Sequence, residues 1–231
     1  MGKSAAATDI QKAVFARVEG VLLSKGVRSA AAYFAANAPG LRERALRLGH
    51  VALTAPAYEW LGQTDRVLAN RLAYLALRNL TEDRVAELAE EYFTTILRKQ
   101  ILNDGVELLK RARREGHRVV LIADSLEQIL QPLAAEIGCV DDYVCNHLEF
   151  RSGRATGRLI DPVVGGHDSG VWLERYASEH GLGLAQSTAY ASHGPDMLLL
   201  TTVGRPCAVN PDFTLRRAAQ QAHWPVLDYH V

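Results

Sequence analysis

The sequence predicts an α/β protein: a parallel sheet flanked by helices, with an all-helical segment inserted after the first strand. Three observations carry this. Short apolar runs bounded by glycine, proline or polar residues lie at 13–18, 117–123, 187–192 and 206–210. Helix-period segments such as 104–116 and 170–181 separate them, and strand alternating with helix builds a parallel sheet. Residues 28–100 carry helical period throughout and no strand pattern. With 231 residues the chain supports one substantial core carrying a smaller inserted unit. The expected division is residues 12–27 and 101–231 for the core, 28–100 for the helical cap, and 1–11 as a flexible N-terminus.

Taken in order, the first strand covers Ala13–Val18, an apolar run reaching a polar tip and Gly20. The insertion reads as four amphipathic segments, at 31–38, 41–53, 64–80 and 81–99, the last opened by Thr81 with Asp83 and Arg84 in the manner of a helix start. Tyr58, Trp60, Tyr74, Tyr92 and Phe93 fall mostly at helical spacing there and read as cap core rather than a ligand box. Beyond the second strand, residues 146–161 form a hairpin pattern with "RSGR" as its turn.

Composition excludes several classes. Lys+Arg and Asp+Glu both number 26, so no net field draws the chain to nucleic acid or an anionic membrane. The three cysteines, Cys139, Cys145 and Cys207, are odd in number and lack metal-ligand spacing, which fits buried thiols in a reducing compartment. No apolar run approaches a membrane span, "MGKSAAATDIQK" has no leader-like apolar region, and Ala6 breaks the myristoylation pattern. The expectation is a soluble cytoplasmic protein.

The chemistry-bearing residues cluster at strand ends. "VFARVEGVLL", the helical insertion, "HRVVLIADS", "ATGRLIDPVVGG", "YASHGPDML" and "VNPDFTLRRAA" occur in an order that resembles the haloacid dehalogenase superfamily, in its helical-cap branch with phosphoserine phosphatase. The resemblance runs over nearly the whole chain and implies a Rossmann-like core. It also implies a DxDGT-like first motif, whose first Asp attacks phosphorus and binds magnesium and whose second is the general acid and base. In this sequence those positions hold Arg17 and Glu19, the glycine is kept as Gly20, and Val21 replaces the threonine. The phosphoryl-holding Ser/Thr position falls on Ala123, with Ser125 two residues on. The lysine position falls on Ser169, with no lysine from Gly165 to the end. The acidic metal pair falls on Ser192 and Asp196.

Phosphoryl transfer to a carboxylate needs an anionic nucleophile, a divalent cation and donors for the equatorial oxygens. Arg17 supplies none of these, and its planar fork suits carboxylates instead. The expectation is a catalytically inactive pseudophosphatase, without magnesium or other cofactor, in which Arg17 pairs with Glu19 or Asp196. A solvated Arg17 in an open cleft stays open as a second reading. As a binding, regulatory or scaffold protein it would engage a protein partner, a phosphorylated small molecule or a lipid head group. Arg17, Glu19, Gly20, Asp124 and Ser125 are the candidate metal-free ligand site, drawing on backbone N–H donors. The rival expectation is an active phosphomonoester hydrolase with a rearranged site using Asp124, Glu19 or Asp196. His167, Asp168 and His193 read as polar loop residues rather than metal ligands.

Overall fold

A computed structural model describes residues 11–24, 26–165 and 169–229. A six-stranded sheet in the order β3-β2-β1-β6-β7-β8 forms the core, every neighbouring pair parallel. β1 (Ala13–Arg17) lies at its centre and is buried at every residue. β2 (Arg118–Leu126) and β3 (Asp142–Asn146) extend one side; β6 (Thr188–Ala191), β7 (Arg205–Val209) and β8 (Val226–Leu227) extend the other. The chain thus reverses direction of travel across the sheet at β1, and such a switch point opens a crevice at the carboxyl ends of the strands. β4 (Leu148–Arg151) and β5 (Arg154–Leu159) make the separate antiparallel hairpin, turning through Ser152 and Gly153, both at positive φ.

Alternation of helix and strand places apolar side chains on both sheet faces. Val14, Ala16, Val119 and Leu121 pack one way, with Leu130 and Leu133 of α6 (Glu127–Ile137). Phe15, Val120 and Ile122 pack the other, with Leu173 of α7 (Ser169–His180) and Leu215 of α9 (Phe213–Gln221). Between them in sequence, α5 (Asn103–Arg114) leads into β2, and α8 (Met197–Thr201) follows β6. Gly138 ends α6 in the left-handed conformation that suits a glycine cap.

Between β1 and α5 lie α1 (Val27–Ala36), α2 (Leu41–Thr64), α3 (Arg66–Tyr74) and α4 (Glu82–Thr95), with short 3-10 turns after α3 and α4. Thr81 caps α4 and Asp65 caps α3, each accepting from a backbone N–H three residues on. α2 departs from the sequence expectation, which ended it near residue 53. It continues through Pro56, which removes one helical hydrogen bond on a face where Ala52 and Pro56 are exposed. β3 and β8 also lacked a sequence signal: β3 is half-buried over its first three residues, and β8 has only two.

Two local features shape the crevice. The β2–β3 register shifts between Ile122 and Leu126, a bulge that spreads Ala123, Asp124 and Ser125 over the strand end. After β1 the chain turns back through Gly20 (φ +87°), whose N–H donates to Leu23 O at 2.8 Å. A Cβ there would sit 2.4 Å from Ser192 Cβ. Positive φ and this close approach both demand glycine. Gly20→Ala is expected to lower unfolding free energy by about 2 kcal/mol or more, read as a shifted urea midpoint; an unchanged midpoint would contradict the packing described.

Candidate functional site

Arg17 ends β1 with its side chain wholly buried. Its Nη2 lies 2.6 Å from Asp124 Oδ2, its Nε 3.2 Å from Asp196 Oδ1, and Nη2 again 3.7 Å from Glu19 Oε2. None of the three guanidinium nitrogens makes a well-directed hydrogen bond among the described residues, so the contacts are charge pairs first. Burial alone would lower the Arg17 pKa, but Asp124, Asp196 and Glu19 outweigh it and hold the guanidinium firmly protonated.

The expected pairing with Glu19 or Asp196 is present for both, and the shortest contact goes to Asp124, which the sequence reading had assigned to ligand binding. Desolvation would raise the Asp124 pKa; Arg17 and then Arg66 overcome it and hold the carboxyl below its usual range. Two further donors fix the backbone there. Asn146 Nδ2 donates to Asp124 O at 2.8 Å, and Tyr74 Oη donates to the same oxygen at 3.2 Å.

Glu19 does something the sequence did not announce. Its carboxylate accepts from the Asp124 N–H at 3.1 Å, the Ser125 N–H at 3.2 Å and the Ser125 hydroxyl at 2.9 Å. These are the donors at the end of β2 expected to hold an external anion, and an internal one occupies them. Glu19 is desolvated and lies near Asp124, so its pKa rises despite Arg17.

Arg66, the first residue of α3, was missed. It is 7% exposed and reaches from the helical insertion to Asp196 Oδ1 at 2.8 Å and Asp124 Oδ2 at 3.5 Å. Sequence offered no signal, since an arginine after a capping Asp is ordinary at a helix start. The cleft above this cluster has a volume of about 310 Å³, with Glu19, Tyr58, Arg66, Asp124, His193 and Asp212 in its walls. Tyr58 packs against the core with a partly buried ring, as expected, and also lines the cleft. Tyr74, Tyr92 and Phe93 are buried as expected, but Trp60 is 68% exposed. An apolar ring at helical spacing is buried only when its helix face has a neighbour.

The remaining candidates are otherwise engaged. Ala123 is fully buried in β2. Ser192 donates its hydroxyl to Val209 O at 2.6 Å. Asp212 caps α9 at Leu215 N and accepts from Gly194 N as well. Ser169 opens α7, and His167 and Asp168 lie outside the described residues. His193 borders the cleft, and burial followed by Arg66 lowers its pKa.

Magnesium requires oxygen ligands at about 2.0–2.1 Å in near-octahedral array. Here a guanidinium stands among the three carboxylates, and no group of three His, Cys, Asp or Glu is disposed to hold a metal among the described residues. The residues present do not fit the ion.

This fold and cleft define a haloacid dehalogenase-type protein, and the chain belongs to that family: it matches the haloacid dehalogenase-like hydrolases over residues 21–200. The match begins just past Arg17 and Glu19. The inhibition of morphological differentiation protein of Streptomyces azureus is 28% identical over 160 residues, 68% of this chain and 57% of that one. Phosphoserine phosphatase SerB1 of Mycobacterium tuberculosis is also 28% identical over 160 residues, 69% of this chain and 51% of that one. The chain thus spans about half the length of these curated relatives. In solved structures, a protein of unknown function from Bordetella pertussis Tohama I superposes with a TM-score of 0.79 at 22% identity, covering 94% of this chain and 98% of that one. An apo phosphoserine phosphatase gives 0.67 at 16%, covering 94% and 93%. Among the described residues no helix is long and apolar enough to cross a membrane.

Removing the cation should be costly. Arg17→Met leaves Glu19, Asp124 and Asp196 buried without it, an expected loss of about 3–5 kcal/mol in urea unfolding; a loss under about 1 kcal/mol would contradict the cluster. The pH dependence follows from the signs. Asp124, held low, contributes stability that is present above about pH 4 and lost as pH falls through its folded value. Glu19, held high, contributes stability at low pH that is lost as pH rises through its folded value. Asp124→Asn should therefore flatten the acid loss of stability and Glu19→Gln should steepen it, measured as unfolding free energy against pH.

Proposed function

We propose that this chain is a metal-independent member of its family in which the former reaction centre serves binding, regulation or scaffolding rather than magnesium-dependent phosphoryl transfer. The observation that carries the reading is the Arg17 guanidinium, wholly buried and 2.6 Å from Asp124. Arg17 puts a cation at the nucleophile position, the nearest carboxylate, Asp124, is held in a charge pair with it, and Arg17 and Arg66 offset most of the negative charge that would attract a metal. Glu19 extends the argument: with the Asp124 and Ser125 N–H groups donating to it, a phosphorylated ligand enters that cradle only by displacing a carboxylate. Metal-free binding of a phosphomonoester at Arg17, Glu19, Gly20, Asp124 and Ser125 is part of the proposal on those terms.

The relatives favour a second reading. Several bear phosphatase names, including SerB1 and a probable phosphatase of Mycobacterium tuberculosis, which supports a phosphomonoester hydrolase with a rearranged site. Asp124 would be its nucleophile, after release from Arg17 and Arg66.

A panel of phosphomonoesters with Mg²⁺, assayed beside Asp124→Asn and Glu19→Ala, separates the two. Release of phosphate no greater than in either variant is expected. Turnover by the wild type that Asp124→Asn abolishes would overturn the binding reading and establish the hydrolase. In the same preparations, Glu19→Ala is expected to bind inorganic phosphate more tightly than wild type by calorimetry, because the cradle donors are freed; equal heats would show that Glu19 does not block them.

A further inference from the structure

The helix α2 spans 24 residues and none of them is buried. Its inner face is half-buried through Val51, Thr54, Ala55, Tyr58 and Leu61. Its outer face, at i, i+3, i+4 and i+7 spacing, runs Arg42, Ala45, Leu46, Gly49, Ala52, Leu53, Pro56, Ala57 and Trp60, with no charge after Arg42. Leu46 is 65% exposed, Leu53 83% and Trp60 68%. A helix apolar on both faces belongs between two neighbours, and the structure supplies one.

We infer that a second copy of this chain covers the face, the two α2 helices packing antiparallel across a two-fold axis. The charges at the ends of the stripe support this occupant. Arg42 and Arg44 are exposed in the first turns around a single acid, Glu43, so that end carries a net positive charge, which the helix dipole disfavours, and the last turn has no basic residue. Glu59, in the cleft wall and paired with Arg28 but with a side chain 60% exposed, stands beside the other end of the stripe. An antiparallel partner brings each arginine end against the other copy's Glu59 and Trp60, and sets the two dipoles antiparallel. The contact is isologous, as a two-fold requires. Gly49 and Ala52 at the centre permit close approach of the backbones.

An anionic membrane is a poorer match, because recognition there uses several clustered cations and this face offers Arg42 alone within the stripe. The stripe from Leu46 to Trp60 is about 21 Å long and about 10 Å wide, on the order of 200 Å². A standard interface covers roughly 800 Å² per partner, so the association is weak and depends on concentration. Tyr58 and Gln63 of the same helix border the cleft, so the dimer would stand over its mouth.

Sedimentation of the full chain over rising concentration tests this. The mass is expected to climb toward twice the monomer, Leu53→Glu to stay monomeric with unchanged circular dichroism, and Arg42→Glu to weaken association that Glu59→Arg added to it restores. A wild type that stays monomeric throughout overturns the inference, as does a dimer indifferent to Leu53→Glu. Monomers that bind phosphatidylserine vesicles through Leu53 and Trp60 would overturn it in favour of a membrane.

Discussion

The Arg17 guanidinium, buried among Asp124, Asp196 and Glu19, is the interaction on which the crevice depends. Each carboxylate comes from a different segment: the turn after β1, the bulged end of β2 and the loop after β6. Buried like charges at such distances repel strongly in a medium of low polarity, and no arrangement that converges three of them stands without a cation. Here the cation is covalently part of the chain. It arrives with folding.

That choice propagates outward. Arg66 adds a second charge from the helical insertion, so α3 is tied to Asp196 and Asp124 by the same cluster that organises the sheet end. With two arginines against three carboxylates the buried group carries a formal charge of about −1. Glu19 completes the closure by drawing on the Asp124 and Ser125 donors from inside. Cation and anion are both supplied by the protein, and the loops keep a reaction-like geometry with its partners already in place.

Most of this fold was legible in the sequence because its central strands are continuous apolar runs and its helices are periodic. β1 and β2 are buried nearly throughout, and nothing but a central strand explains such runs. The misses share a cause. β8 is too short to carry a pattern, and β3 is only half-buried along most of its length. The helical segment read at 41–53 stopped short of Pro56, which the helix passes through on an exposed face where a missing hydrogen bond costs little. At the site, the family resemblance placed Arg17, Glu19 and Asp196 together in advance, and Asp124 joined them as a strand-end residue. Arg66 and the Glu19–Ser125 bond stayed hidden, because they depend on how a separate helical unit docks and on which rotamer a carboxylate takes. The exposure of Trp60 was equally unreadable, since periodicity shows a face and not what covers it.

Calorimetric titration of the wild-type protein with Mg²⁺, beside an Arg17→Asp variant, tests the central claim most directly. A guanidinium in the metal's place predicts no binding heat for the wild type up to millimolar Mg²⁺, and measurable heat once Arg17 is replaced by a carboxylate. Saturable Mg²⁺ binding by the wild type, lost in Asp196→Asn, would contradict the account and return a metal to this site.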